Sequence, residues 1–155
     1  MKKMDRRHFL KTVAVAGGAA VAGFPTIVKA SALGKNGAVA ASDRIVMAGI
    51  GFGMMGPGNM ENFLEKPEVQ WVAVCDLDTE PLAMAKGVVD KKYGNKSCAT
   101  YHDFRELYLR KDLDAISIAV PDHWHAILSI AALRSGFDVY GEKPLTHNLR
   151  EGRAL

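Results

Sequence analysis

The chain is poor in cysteine: Cys75 and Cys98 are the only two in 155 residues. They lack the close spacing at which paired thiolates bind a metal, so no cysteine metal centre can be written from this sequence. Each falls in or beside an apolar run, which reads as two packed thiols rather than a disulfide. A long hydrophobic run is also missing. The most apolar stretch, Val13–Phe24, is rich in Gly and Ala and shorter than the roughly 20 residues a membrane span requires. Charge of one sign is lacking as well, once Met1–Ala32 is set apart. That segment holds six of the 20 lysines and arginines and one of the 17 acids, leaving 14 basic and 16 acidic residues, a net charge of −2. No basic patch remains to hold nucleic acid. No internal repeat occurs, and the low-complexity stretches are confined to the first 32 residues and a polar linker over 33–42.

What the amino terminus does contain is Asp5-Arg6-Arg7-His8-Phe9-Leu10-Lys11, then the short apolar run, then the small residues Ala30-Ser31-Ala32. This is the layout of a twin-arginine export signal with its cleavage site, with Asp5 where Ser or Thr is usual. Residues 1–32 therefore read as a signal peptide that engages the twin-arginine export machinery and delivers a periplasmic protein without a stable membrane anchor. About 120 residues follow, 43–155 being one domain's worth of chain.

The apolar run Ile45-Val46-Met47-Ala48-Gly49-Ile50 leads into Gly51-Phe52-Gly53-Met54-Met55-Gly56, and Asp76 closes a second apolar run twenty positions after the last of these glycines. Strand, Gly-x-Gly-x-x-Gly, helix and a following acid make a dinucleotide-binding fingerprint. Gly51 allows the tight turn off the strand, Gly53 lets backbone approach a pyrophosphate, and Gly56 lets the next helix pack closely. Helix amides at that point stabilise phosphate without a basic side chain, and none lies between Ile45 and Glu65. Asp76 can accept both hydroxyls of the adenosine ribose and repels a 2′-phosphate. Leu77 and Asp78 add no cation to hold one, so the pattern favours NAD over NADP.

Apolar periodicity alternates strand and helix along the rest of the chain. Strands are expected at Arg44–Ile50, Val69–Asp76, Ala99–Tyr101, Ala115–Val120 and Asp138–Gly141. The first helix carries Met60, Phe63 and Leu64 on one face and stops at Pro67. The second is capped by Thr79, packs through Leu82, Ala85 and Val89, and ends at Gly94. The third starts at Asp103, with Glu106 as capping-box partner, and runs through Leu109. A fourth buries Trp124, Ile127, Leu128 and Ala131 and ends at Gly136. Regular alternation specifies an α/β fold with a doubly wound parallel sheet of Rossmann type. In such sheets the ligand lies beyond the carboxyl ends of the strands. Pro121-Asp122-His123-Trp124-His125 and Glu142-Lys143-Pro144 therefore face the same crevice as the glycine turn. A His-x-His pair that opens a helix cannot easily aim both rings one way, so His125 reads as a structural or cofactor-edge residue and not as a metal ligand.

Val120-Pro121-Asp122-His123-Trp124-His125, taken with Gly141-Glu142-Lys143-Pro144-Leu145, resembles the amino-terminal domain of the Gfo/Idh/MocA oxidoreductases. That is the family of glucose-fructose oxidoreductase and inositol dehydrogenase. The similarity runs from about Asp43 to the end, and its Glu-Lys-Pro signature is more discriminating than the glycine loop. The resemblance implies that Lys143 reaches the nicotinamide and the substrate hydroxyl as the catalytic group, that Glu142 lies along the nicotinamide ribose, and that a cis peptide precedes Pro144. Family members often read Thr-Pro-Asn where this chain has Val120, Pro121 and Asp122. The family continues into a second α/β domain that supplies substrate pocket, subunit interface and proton acceptor. The chain thus reads as the truncated cofactor domain of a longer protein, a homo-oligomer at full length, or else as a free-standing cofactor domain; by itself it is expected to bind NAD without turning over substrate. Asn148 and Glu151 resemble the start of a further capped helix. Two catalytic readings follow: net oxidation of a sugar or polyol, or transient oxidation by retained NAD within a lyase, glycosidase or epimerase cycle. Retained NAD fits export in a folded state, since free NAD is scarce outside the cytoplasm. The Glu142-Lys143 pair argues against a third reading, a non-catalytic nucleotide-binding module.

Overall fold

The computed structural model describes residues 30–35 and 39–155. The twin-arginine segment and the apolar run Val13–Phe24 lie outside the described residues. Two short 3-10 turns, Ala30–Leu33 and Ala41–Asp43, precede the sheet. Five strands and five helices then alternate: β1 (Ile45–Ile50), α1 (Gly56–Leu64), β2 (Val69–Cys75), α2 (Thr79–Tyr93), β3 (Ala99–Tyr101), α3 (Phe104–Leu107), β4 (Ala115–Ile118), α4 (Asp122–Arg134), β5 (Asp138–Gly141) and α5 (Leu149–Ala154). The sheet order is β3-β2-β1-β4-β5, and every pairing is parallel. This is the doubly wound Rossmann order, whose connections reverse direction between β1 and β4.

Both faces of the sheet are covered, which is why its strands read as nearly continuous apolar runs. On one face Met60 and Leu64 of α1 and Leu82, Ala85 and Val89 of α2 pack with Met47, Trp71 and Val74. On the other, Leu107 and Tyr108, Leu128 and Ala132 of α4, and Phe137 pack with Ala48, Ala73, Ile116 and Ile118. The β1–β2 register slips between Met47 and Ala48, so that Met47 pairs with Trp71 but Ala48 with Ala73. The extra residue puts Trp71 and Val74, three apart, on one face. Cys75 and Cys98 are buried free thiols.

Several local expectations change. Strands β1, β2 and β4 are trimmed to their paired residues. Asp78, not Thr79, caps α2, its carboxylate accepting from the Glu80 N–H at 3.0 Å. Gly94 ends that helix in the left-handed region, at φ 64°. Asp103 caps α3 through the Arg105 amide, and that helix stops at Leu107 rather than Leu109. The largest correction is in α4. Trp124 and Ile127, expected in the core, are 37% and 51% exposed, and the helix instead buries His125, Ala126, Leu128, Ser129 and Ala132. Small side chains on that face let the helix approach the sheet closely, and that turns the two large residues outward.

Candidate functional site

The carboxyl ends of the strands are joined by a continuous row of backbone hydrogen bonds. Asp76 donates to Tyr101 O, Gly51 to Cys75 O, Ala119 to Ile50 O and Glu142 to Ile118 O, all at 2.9–3.1 Å. Each donor is the first residue beyond its strand, so one row fixes the acid after β2, the glycine turn, the β4 edge and the Glu-Lys-Pro segment. The row runs along the carboxyl edge of the sheet, where a parallel sheet presents ligand-binding groups.

The three glycines of the turn do different things. Gly51 has φ 88°, and a Cβ there would collide with the Ala119 carbonyl. A Cβ on Gly56 would strike the carbonyl of Gly51 itself, which is where α1 closes onto the turn. At Gly53 a Cβ would meet nothing within 4 Å. The first and third glycines are thus required by the protein's own backbone, whereas nothing in the protein requires the second. The open space above Gly53 beside the α1 amino terminus leaves room for the close backbone approach that a pyrophosphate needs. Met54 and Met55 are exposed on the rim, whereas the Phe52 ring is turned into the core beside Gly49 and Trp71.

Phe52 contributes through its amide, which donates to Asp76 Oδ2 at 2.7 Å, while the Asp78 amide donates to Oδ1 at 3.0 Å. Both carboxylate oxygens are therefore held before any ligand arrives, and each keeps a lone pair for a hydroxyl. Leu77 is exposed next to it. His102, absent from the sequence reading, sets its Nδ1 2.9 Å from the Asp76 carbonyl oxygen.

At the other end, Val120 is half-buried and Pro121 stands at the N-cap of α4, just before its first residue. His123 is exposed, but His125 is 2% exposed, and its Nδ1 has no partner among the described residues. The two rings therefore do not share a side. Glu142 receives a hydrogen bond on Oε1 from the Asn59 amide at 2.9 Å. Asn59 was also missed, although a polar residue on the Met60–Phe63–Leu64 face of α1 was a readable signal. Lys143 is exposed, and the Lys143–Pro144 peptide is cis. Among the described residues no group of three or more His, Cys, Asp or Glu could hold a metal ion, and no helix is long and apolar enough to cross a membrane.

Comparison with known proteins gives this geometry its context. Residues 44–155 match the Gfo/Idh/MocA oxidoreductase family, NAD-binding Rossmann fold. The chain belongs to this family. Residues 3–23 match the twin-arginine translocation signal, which directs export to the periplasm. Among curated Gfo/Idh/MocA-like relatives, the α-N-acetylgalactosaminidase of Shewanella oneidensis is 32% identical over 97% of this chain and 36% of its own length. A glycosyl hydrolase family 109 protein of Bacteroides fragilis is 37% identical over 68% of this chain and 24% of its own length. Of solved structures, myo-inositol 2-dehydrogenase of Lactobacillus plantarum is 29% identical, with TM-score 0.63 over 72% of this chain and 31% of that one. Scyllo-inositol dehydrogenase of Lactobacillus casei, solved with NAD(H) and scyllo-inositol, shares the fold at TM-score 0.63 and 22% identity over 72% of this chain and 32% of that one. The chain spans about a third of the length of the curated relatives it matches over nearly its whole extent.

Proposed function

We propose that this domain lays NAD across the carboxyl edge of its sheet and presents the nicotinamide, at Lys143, to a hydroxyl of a sugar or polyol. The observation that carries this reading is the open space over Gly53, flanked by backbone-required glycines and by an Asp76 already fixed for ribose. The turn Gly51–Gly56 holds the pyrophosphate through its amides. Asp76 accepts the ribose hydroxyls and, with Leu77 beside it and no cation, disfavours a 2′-phosphate. NAD is therefore the cofactor rather than NADP. Val120 and Pro121 line the nicotinamide side, with His125 backing that edge from the core. Bound NAD supplies the hydride acceptor. Lys143 holds the substrate hydroxyl by hydrogen bonding and relays its proton as the carbon is oxidised. A second domain completes the pocket, provides the proton acceptor and carries the interface of a homo-oligomer.

In the full-length protein Lys143→Ala is expected to leave NADH affinity within about twofold and to lower hydride transfer by about 10²–10⁴-fold, the range of a positioned proton-transfer group. Undiminished turnover in that variant would remove Lys143 from the mechanism. The glycosidase names of the relatives favour a second reading of the same step. Oxidising a ring hydroxyl acidifies the neighbouring C–H; loss of that proton and of the glycosidic oxygen leaves an unsaturated ketone, water adds across its double bond, and hydride then returns to the ketone carbon with no net redox change. NADH accumulation during turnover marks net oxidation; sugar release without it marks the internal cycle.

A further inference from the structure

We infer that Asn59 is a positioning residue that sets the Glu142 carboxylate against the nicotinamide ribose, so that the pyrophosphate helix and the end of β5 act as one site. The inference rests on the NAD reading above. The bond from Asn59 Nδ2 to Glu142 Oε1, 2.9 Å long, links residues 83 apart in sequence. Its two ends are rigid. Asn59 is 8% exposed and its own amide donates to Met55 O at 3.1 Å, while the Glu142 amide donates to Ile118 O at 3.0 Å. A glutamate carries several rotatable bonds, and a donor on a fixed backbone selects one arrangement of them. Among the described residues only one carboxylate oxygen is engaged, so Oε2 remains to accept from a ligand hydroxyl.

The chemistry of the donor also matters. A neutral amide bonds the carboxylate without cancelling its charge, whereas a lysine at 59 would neutralise it. Docking of α1 does not depend on this bond, because one turn further on the Phe63 ring meets Tyr140 of β5 edge-on at 5.0 Å. The side-chain link is therefore in excess of what holds the helix in place.

The test is NADH titration of the full-length protein by fluorescence at about pH 5.5 and pH 8.5, spanning the range where a shared carboxyl proton is lost. Asn59→Leu is expected to weaken binding about tenfold at both, the size of a lost bond to a charged group. Asn59→Asp puts two carboxyls at hydrogen-bond distance. With one shared proton at the lower pH it keeps a donor and binds within about threefold of wild type; at the higher pH the charges repel and affinity falls about tenfold further. Lys143, the adjacent charge in sequence, is common to both proteins and cancels in the comparison. The exchange Asn59→Asp with Glu142→Gln restores a bond of reversed sense, and it is expected to melt like wild type without regaining NADH affinity. Full recovery of affinity in the exchange, or indifference of both single variants at both pH values, overturns the inference. Wild-type protein that takes up no NADH overturns this and the NAD reading together. Binding that Gly53→Val abolishes while the Asn59 variants leave it intact overturns the role of Asn59 alone.

Discussion

Gly53 is the residue on which function and folding separate most cleanly. Because a Cβ there meets nothing within 4 Å, Gly53→Val is expected to melt like wild type and to lose about a hundredfold or more in NADH affinity by filling the pyrophosphate space. Gly51→Ala has the opposite signature. Its positive φ and the Ala119 carbonyl make it destabilising by about 1–3 kcal/mol in a denaturant titration. A Gly53→Val protein that binds NADH normally would show that the turn is not the phosphate site. Much at this scale was readable beforehand, since spacing alone already marked Gly51 as the tight turn and Gly56 as the point where the helix packs closely. Phe52 was not readable in the same way. It lies inside the motif, yet its ring serves the core and only its amide serves the site, a division that depends on the neighbouring Gly49 and Trp71.

At the level of elements, the caps and the rotation of α4 give contrasting lessons. Asp78→Ala removes the bond to the Glu80 amide and is expected to cost about 1 kcal/mol of stability, whereas Thr79→Ala is expected to be nearly neutral by thermal melting. Equal effects would return the cap to Thr79. Asn148 holds the Glu151 amide at 3.0 Å and starts α5, as its sequence spacing indicated. Helix α4 is harder to read because Asp122–Arg134 is apolar on almost every side, so periodicity alone does not select a face. Choosing the bulkiest stripe points to Trp124 and Ile127, and the sheet instead takes the stripe with small residues. Leu128→Ala is accordingly expected to destabilise by about 2–5 kcal/mol. Trp124→Ala, on an exposed side chain, is expected to change the unfolding free energy far less.

Over the whole molecule, two covered faces bury both thiols, and this gives the domain a defined response to alkali. Burial, reinforced by Asp76, raises the Cys75 thiol from its ordinary 9.0 to about 12. Burial, reinforced by Asp90, raises Cys98 to about 11. The folded state holds these protons more tightly than the unfolded chain. Their contribution to stability is therefore intact below pH 9 and lost as pH rises through about 11 to 12. Native protein at neutral pH is expected to resist thiol labelling, and denaturant is expected to expose both cysteines. Prompt labelling of native protein would contradict the packing of β2 and of the chain entering β3. The sequence by itself determined the order of strands and helices, the glycine turn, the acid after β2, the Glu-Lys-Pro segment and the export signal, because each is written in residues close together along the chain. Only the tertiary structure decided that Phe52 points inward, that α4 turns Trp124 outward and that Asn59 reaches Glu142. Those outcomes depend on which surfaces meet when the sheet is covered, and contacts between residues so far apart leave no local pattern.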